Sequence, residues 1–495
     1  MILNPLWRTR IFATVAGAVA IWLGVAIAQQ EFFWPALAGV GLLLFALARW
    51  QPLPLGTLLL GSALVGYVLG NRGFAQIMLL PNQPLLPAEA LMMLGGTLLL
   101  VQCAWRHELP VRREALNLLV LAWMALGLAR LSFDFRAHGL VAVRDFAVVY
   151  YAAFFVLAQD AAREPTSRRF LNHTLLASCS LLLLTSFLYE RFPEFFLGTL
   201  TFRGSPLIYY KGDLVGTFLA VGSVLAYLQH EQRPRWWKLL LSLLLAGGVL
   251  ATNNRASMLG LVVAAVWLAI GGRWRFARAL VGTAVLGSVL VLVAAGALNL
   301  PLEKTPLFGV YERVLSLTDP TGQRSYRGAE TFNKGDNNLF RSVWWKAVID
   351  ETIDQNPYVG VGFGYDLADR FVRQYYPESG EEFSVRSPHN VLVTVFARMG
   401  AVGLAVLLAM VAVISRRTFQ AVRAGPEQAA PWCVVWVIFS SACFGVVLEG
   451  PMGAVVFWTA LGVAQAAMIR STTTPQDVRT EKGPAAALRS AGAPV

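Results

Sequence analysis

Two short runs place polar, reactive side chains at the ends of apolar stretches. The first is Asn253-Asn254-Arg255-Ala256-Ser257, a tight turn between apolar stretches at 236–251 and 256–270. A guanidinium at such a border must be solvated, paired or holding an anion. Its planar fork matches phosphate oxygens, which makes Arg255 a candidate phosphate clamp. The competing reading is an arginine whose stem lies on apolar surface while its head reaches water. The second run is Ser387-Pro388-His389-Asn390, which opens an apolar stretch at 390–414. Pro388 restricts the backbone before it, and His389 is expected near a helix N-terminus. The helix dipole there disfavours imidazolium, leaving a neutral ring able to accept a proton. A cap or a hydrogen bond to a carbonyl is the alternative for His389. The chain has five histidines; His107 and His230 fall in basic loops, His173 begins another stretch, and His138 sits in a short loop.

Other residues extend this set. Arg203, in Phe202-Arg203-Gly204-Ser205-Pro206, and Arg341 are candidate partners for an anion. Asp213, Asn390, Arg144 and Glu449 are candidate supports, although Asp213 is close enough to Lys211 to pair with it. Arg144-Asp145 reads as an internal ion pair, and Arg72 as structural or bound to a lipid headgroup. Several arginines with one neutral histidine suit an anionic lipid-phosphate donor and a hydroxyl acceptor. Gly360, Gly362 and Gly364 form a G-x-G-x-G string, but no strand precedes it and no Rossmann helix follows, so it does not indicate a nucleotide. No zinc-ligand spacing is visible, and no metal or cofactor is expected.

The elements that must hold these residues are membrane helices. The 495 residues are 56% hydrophobic and 14% charged, with mean hydropathy +0.56; soluble domains carry about 25% charged residues. Fourteen spans are expected near 11–28, 32–48, 53–70, 85–103, 115–131, 140–158, 172–189, 211–229, 236–251, 256–270, 279–298, 390–414, 432–448 and 452–469. Their lengths suit helices that satisfy their own backbones in lipid. Arginine-rich loops alternate with sparser ones. Arg106, Arg112 and Arg113, then Arg163, Arg168 and Arg169, then Arg233, Arg235 and Lys238, then Arg273, Arg275 and Arg278, then Arg416, Arg417 and Arg423 all fall on one side. The positive-inside rule makes that side cytoplasmic and puts both termini there. The net charge of +12 is read as this loop bias, not as a nucleic-acid footprint. The four cysteines lie in or beside apolar runs and read as small core or lipid-facing residues.

One polar segment, 299–388, falls outside the cell in this topology. It carries Phe340, Trp344, Trp345, Phe363, Tyr365, Tyr375 and Tyr376. Residues 341–354 have apolar positions at helical spacing, which predicts an amphipathic helix on the membrane face, ending at Asn356-Pro357. The expected organisation is an N-terminal bundle over 1–298, an outer domain over 299–389, further spans over 390–470 and a disordered cytoplasmic tail over 471–495.

At these residues the chain resembles the O-antigen ligase and polysaccharide polymerase superfamily, multispanning glycosyltransferases that use polyprenyl-pyrophosphate sugars. That superfamily's pattern has an arginine, three residues and a leucine, as in Arg255-Ala256-Ser257-Met258-Leu259. It has a histidine, ten residues and a glycine, as in His389 and Gly400, and an Arg…Trp…Asn-Pro…Gly-x-Gly stretch like 341–364. The resemblance covers about 200–470; the first 200 residues are similar mainly in hydropathy. It implies an all-α polytopic protein, a GT-C-like bundle of about 12–14 transmembrane helices with a helical periplasmic cap in the bacterial inner membrane. It also implies metal-independent, inverting transfer from undecaprenyl pyrophosphate, with Arg255, Arg341 and Arg203 on the pyrophosphate and His389 on the acceptor hydroxyl. The acceptor is a lipid-linked glycan, in a polymerase of O-antigen or exopolysaccharide, or lipid A-core, in a ligase. The large aromatic outer segment favours the polymerase, to which a chain-length regulator would be a further partner. Transfer to protein Ser or Thr and polysaccharide transport are the other readings.

Overall fold

The computed structural model describes Val25 and residues 53–79, 85–252, 254–319, 323–327, 334–375 and 386–472. The first two expected spans, Asn253, Tyr376 and the tail from residue 473 lie outside these. Eleven of the other twelve expected spans coincide with helix, and the twelfth, 432–448, does so only in part. In chain order the helices are α1 (Leu55–Val65, extended by a π turn over Gly66–Gly70), α2 (Arg72–Ala75), α3 (Pro87–Arg106), α4 (Ala115–His138), α5 (Leu140–Asp145), α6 (Ala147–Tyr150), α7 (Ala153–Ala161), α8 (Pro165–Arg191), α9 (Gly212–Gln232), α10 (Trp236–Ala251), α11 (Arg255–Ile270), α12 (Trp274–Ala297), α13 (Pro306–Leu317), α14 (Lys334–Gln355), α15 (Asp369–Tyr375), α16 (Val391–Ala424), α17 (Pro426–Ala442) and α18 (Pro451–Thr472). Eight helical paths among the described residues are long and apolar enough to cross a membrane, counting α5 to α7 as one path over Leu140–Ala161; α1, α10 and α11 are shorter apolar helices. The protein is therefore a polytopic helical membrane protein. One small departure from all-α is a two-residue hairpin, β1 (Thr201–Phe202) against β2 (Ser205–Pro206).

Burial sorts the helices. Every residue of α9 from Leu214 to Leu228 is buried, so this helix is apolar all round because it is the centre of the bundle. It packs on α8, α10, α11 and α17. Helix α12 is the opposite case: only Phe276 and Ala295 are buried along its length, leaving an apolar surface suited to lipid. Cys103, Cys179 and Cys433 are buried and Cys443 is half-buried.

Three expectations are corrected. The span expected at 432–448 runs instead over 426–442, and 443–450 leaves the helix. Gly445 and Gly450 weaken helix there, and Pro451 suits the first turn of α18. The helix expected from 341 starts at Lys334, and its apolar face does not lie on the membrane. Trp344, Ala347 and Val348 are buried against Leu367, Ala368, Phe371, Val393 and Ala397 in a second core. The Trp344 indole donates to the Leu367 carbonyl (3.0 Å) and stacks on Phe371 at 5.6 Å. Finally, Asp145 pairs with Arg398 (2.8 Å), while Arg144 is exposed; successive helical residues do not face each other.

That pair belongs to the seam joining the polar segment to the bundle. Arg398 donates to the carbonyls of Gly362 (2.9 Å) and Tyr365 (2.6 Å). Asp134 and Asp145 accept the N–H groups of Phe363 (2.7 Å) and Gly364 (3.0 Å), and Arg130 pairs with Asp134 at 2.9 Å. Helix α16 breaks its geometry at Gly400 (φ +63°). There Ala401 N–H bonds the Pro357 carbonyl (2.8 Å) and Val361 N–H bonds the Ala397 carbonyl (2.7 Å). A Cβ on Gly400 would stand 2.2 Å from the Tyr358 carbonyl. Glycine therefore permits both the left-handed backbone and the close approach.

Candidate active site

A cavity of about 700 Å³ opens at the end of the bundle that carries the polar segment. Its wall includes the last turn of α8, the first turns of α9 and α11, residues of α14, His389, and Phe444-Gly445. Helices α9 and α11 begin at this cavity, and α16 begins just beyond His389. Helix N-termini carry unpaired N–H groups and partial positive charge, so their convergence favours an anion. Asparagine caps set the last two starts. Asn254 Oδ1 accepts from Ala256 N–H (2.8 Å), and Asn390 Oδ1 accepts from Leu392 N–H (2.9 Å) and Val393 N–H (3.3 Å). With its oxygen committed, Asn254 keeps a buried Nδ2 that has no hydrogen-bond partner among the described residues, at the cavity wall.

Two guanidiniums enter this space. Arg255 Nη1 donates to the Ser316 hydroxyl at 2.9 Å, and Arg341 Nη1 donates to the Phe444 carbonyl at 3.0 Å. Both partners are neutral oxygens, and among the described residues neither guanidinium makes an ion pair. Burial holds the Arg341 pKa below its ordinary value, with Asp213 opposing. The third cation, Lys211, is balanced: its Nζ lies 3.2 Å from Asp213 Oδ2. Buried Asn71 fixes the start of α9 by accepting Lys211 N–H (3.2 Å). Helix α13 fastens the Arg255 turn from above. Arg313 donates to the carbonyls of Leu250 (2.9 Å) and Thr252 (3.0 Å), and Asn338 Nδ2 donates to the Ser316 carbonyl (2.9 Å).

His389 has φ +57° and is held from both sides. The Trp345 indole donates to the Pro388 carbonyl at 2.5 Å, and the Trp344 ring meets the imidazole edge-on at 6.1 Å. Burial, followed by the positive charges of Arg341 and Lys211, pushes the His389 pKa down to about 4, partly offset by Asp213. The ring is thus neutral at pH 7, with burial as the leading cause. Glu449 is half-buried behind this segment, accepting from Thr394 Oγ1 at 2.9 Å; desolvation raises its pKa while bonds from Ser387 and Thr394 oppose this. Tyr189, Tyr210, Trp345 and Phe444 give the cavity an aromatic lining.

The cavity therefore brings together Arg255, Arg341, His389 and Asp213. Arg203 is not on its wall; it sits at the tip of the β1–β2 hairpin with φ +48°, its guanidinium over the Phe202 ring at 5.1 Å. Arg144 is exposed elsewhere, Asn390 serves as a helix cap, and Glu449 supports the histidine segment from behind. Residues the sequence did not single out are Lys211 as a cavity cation, Asn254 as a donor, Ser316 and Asn338 behind Arg255, and Trp345 behind His389. The Asn-Arg pair at a helix start was a usable signal for Asn254. The others depend on contacts between distant parts of the chain. Among the described residues no three of His, Cys, Asp and Glu converge as metal ligands.

No curated protein matches the chain. Residues 240–408 match the protein family described as O-antigen ligase. The matched part runs from α10 through the polar segment into α16, whereas Lys211 and Asp213 precede it. Over roughly a third of its length, the part that supplies Arg255, Arg341 and His389, the chain is similar to the O-antigen ligase family.

Proposed function

We propose that the protein is an inverting glycosyltransferase that moves a glycan from a polyprenyl-pyrophosphate lipid to an acceptor hydroxyl at the periplasmic face of the inner membrane. The observation that carries this reading is one cavity with two guanidiniums that make no ion pair among the described residues and a neutral histidine beside them. In this reading residues 1–298 and 390–470 form a GT-C-like bundle, 299–389 is its periplasmic cap, and the arginine-rich loops are cytoplasmic.

Arg255 and Arg341 would hold the pyrophosphate, with Lys211 and the Asn254 amide beside them in place of Arg203. The acceptor oxygen attacks the anomeric carbon while the bond from that carbon to the pyrophosphate oxygen breaks. The bonding electrons stay on the lipid pyrophosphate, where the guanidiniums stabilise the developing charge. The hydroxyl proton passes to the His389 ring nitrogen. A bound pyrophosphate would also offset the positive field of Arg341 and Lys211, raising the imidazole pKa when a base is needed.

The description of the matched family favours lipid A-core as acceptor, so the ligase is placed ahead of the polymerase that the aromatic outer segment suggested. Purified protein in lipid, supplied with an undecaprenyl-pyrophosphate-linked repeat with and without lipid A-core, separates the two. Product that requires core supports the ligase. A ladder without core supports the polymerase and overturns that preference. Donor movement across the bilayer without new glycosidic bonds would replace both with transport.

A further inference from the structure

A second large cavity, of about 530 Å³, lies at the opposite end of the bundle, where the α3–α4 loop meets the end of α7 and Ala466 of α18. Its charges fall into two groups. Arg163 takes both nearby carboxylates, reaching Glu108 Oε2 at 2.6 Å and Asp160 Oδ1 at 2.8 Å. Arg112 and Arg113 also line the cavity and are exposed, and among the described residues their guanidiniums make no ion pair or hydrogen bond. Among the described residues, neither of these two adjacent guanidinium forks on the concave wall is ion-paired to an acid. Leu109, on the cavity wall, is 72% exposed, and Trp105, four residues before it at the end of α3, is 87% exposed. Leu100 and Val101 continue this exposed apolar surface along the helix.

We propose that this cavity binds the headgroup of an anionic phospholipid, with the phosphate on Arg112 and Arg113 and the acyl chains beside Trp105, Leu109 and the outer face of α3. Guanidinium forks match phosphate oxygens, and an indole at a helix end suits the border between headgroups and hydrocarbon. A soluble phosphate compound would satisfy the arginines but would leave these exposed apolar side chains without a role. The site is separate from the transfer cavity and does not rest on the reaction proposed there.

Native mass spectrometry of the full chain in neutral detergent, titrated with phosphatidylglycerol or phosphatidylethanolamine, tests this. R112A/R113A should lower phosphatidylglycerol binding on the order of ten-fold and leave phosphatidylethanolamine unchanged. Arg233 and Arg235 are exposed in another basic loop, so R233A/R235A is the matched control and should retain binding. Leu109→Asp should weaken the lipid while leaving the arginines intact. Unchanged phosphatidylglycerol binding in R112A/R113A, or equal losses in both arginine pairs, would overturn the site. Displacement of the lipid by inorganic phosphate alone would assign the arginines to a soluble anion and overturn the lipid.

Discussion

In its proposed role as the base, His389 meets two competing demands on the proton. A base must be unprotonated before the reaction yet able to take a proton during it. Burial and the neighbouring cations secure the first, with a pKa of about 4. As a base the ring works above its pKa, so kcat/KM should be level through neutral pH and fall as pH drops through about 4. The kcat profile, measured with donor bound, should place that fall at higher pH. A kcat/KM limb near pH 7 would rule out this imidazole as the titrating base. His389→Ala should lower transfer roughly 10²–10⁴-fold, with the purified protein keeping its Tm. Arg255→Lys keeps the charge but loses the fork; turnover should drop by about 10²-fold if that fork stabilises the leaving pyrophosphate. Wild-type turnover in either variant would remove that residue from the mechanism. The residue types and their positions at apolar borders made Arg255 and His389 legible in sequence. Lys211 and Arg203 were not separable in that way. Both are basic and lie in one loop; a bond from the Lys211 N–H to buried Asn71 sets the first at the cavity, and a hairpin turns the second away.

The elements that position these residues are tied together by irregular backbone. Residues 357–364 and the Gly400 break in α16 satisfy each other's backbone groups, which matters because polar backbone buried without a partner is costly. Gly400→Ala would add a Cβ into the Tyr358 carbonyl and strain a positive φ, and should cost about 1–3 kcal/mol, visible as a lowered Tm in detergent. An unchanged Tm would mean the seam tolerates separation. Arg398→Met leaves Asp145 without its 2.8 Å partner and should cost about 3–5 kcal/mol. The glycines were visible in the sequence as a turn-rich string; the kink they dock against was not, since Gly400 lies within a long apolar run.

For the whole molecule, the proposed topology, with the arginine-rich loops cytoplasmic, predicts which end faces which compartment. Arg203 and Arg235 lie at opposite ends of the bundle, on either side of α9 and its flanking turns. In a Cys443→Ser background, Arg203→Cys should react with a membrane-impermeant thiol reagent in intact cells, and Arg235→Cys should react only after permeabilisation. The reverse labelling pattern would invert the orientation and move the transfer cavity to the cytoplasm.

Sequence by itself determined the helical path and its polar interruption. Apolar runs of spanning length leave the backbone few alternatives in lipid, and every expected span among the described residues coincides with helix except 432–448, whose end leaves the helix. It also marked Arg255 and His389, because polar groups at the border of apolar helices stand out locally. The tertiary structure decided which helices face lipid, turned the apolar side of α14 onto protein, and unwound 443–450 to supply the Phe444 carbonyl to Arg341. It also joined Asp213, Arg255, Arg341 and His389 around one space. These outcomes depend on which distant surfaces exclude one another's lipid or water, a property of packing that periodicity along a single chain does not contain.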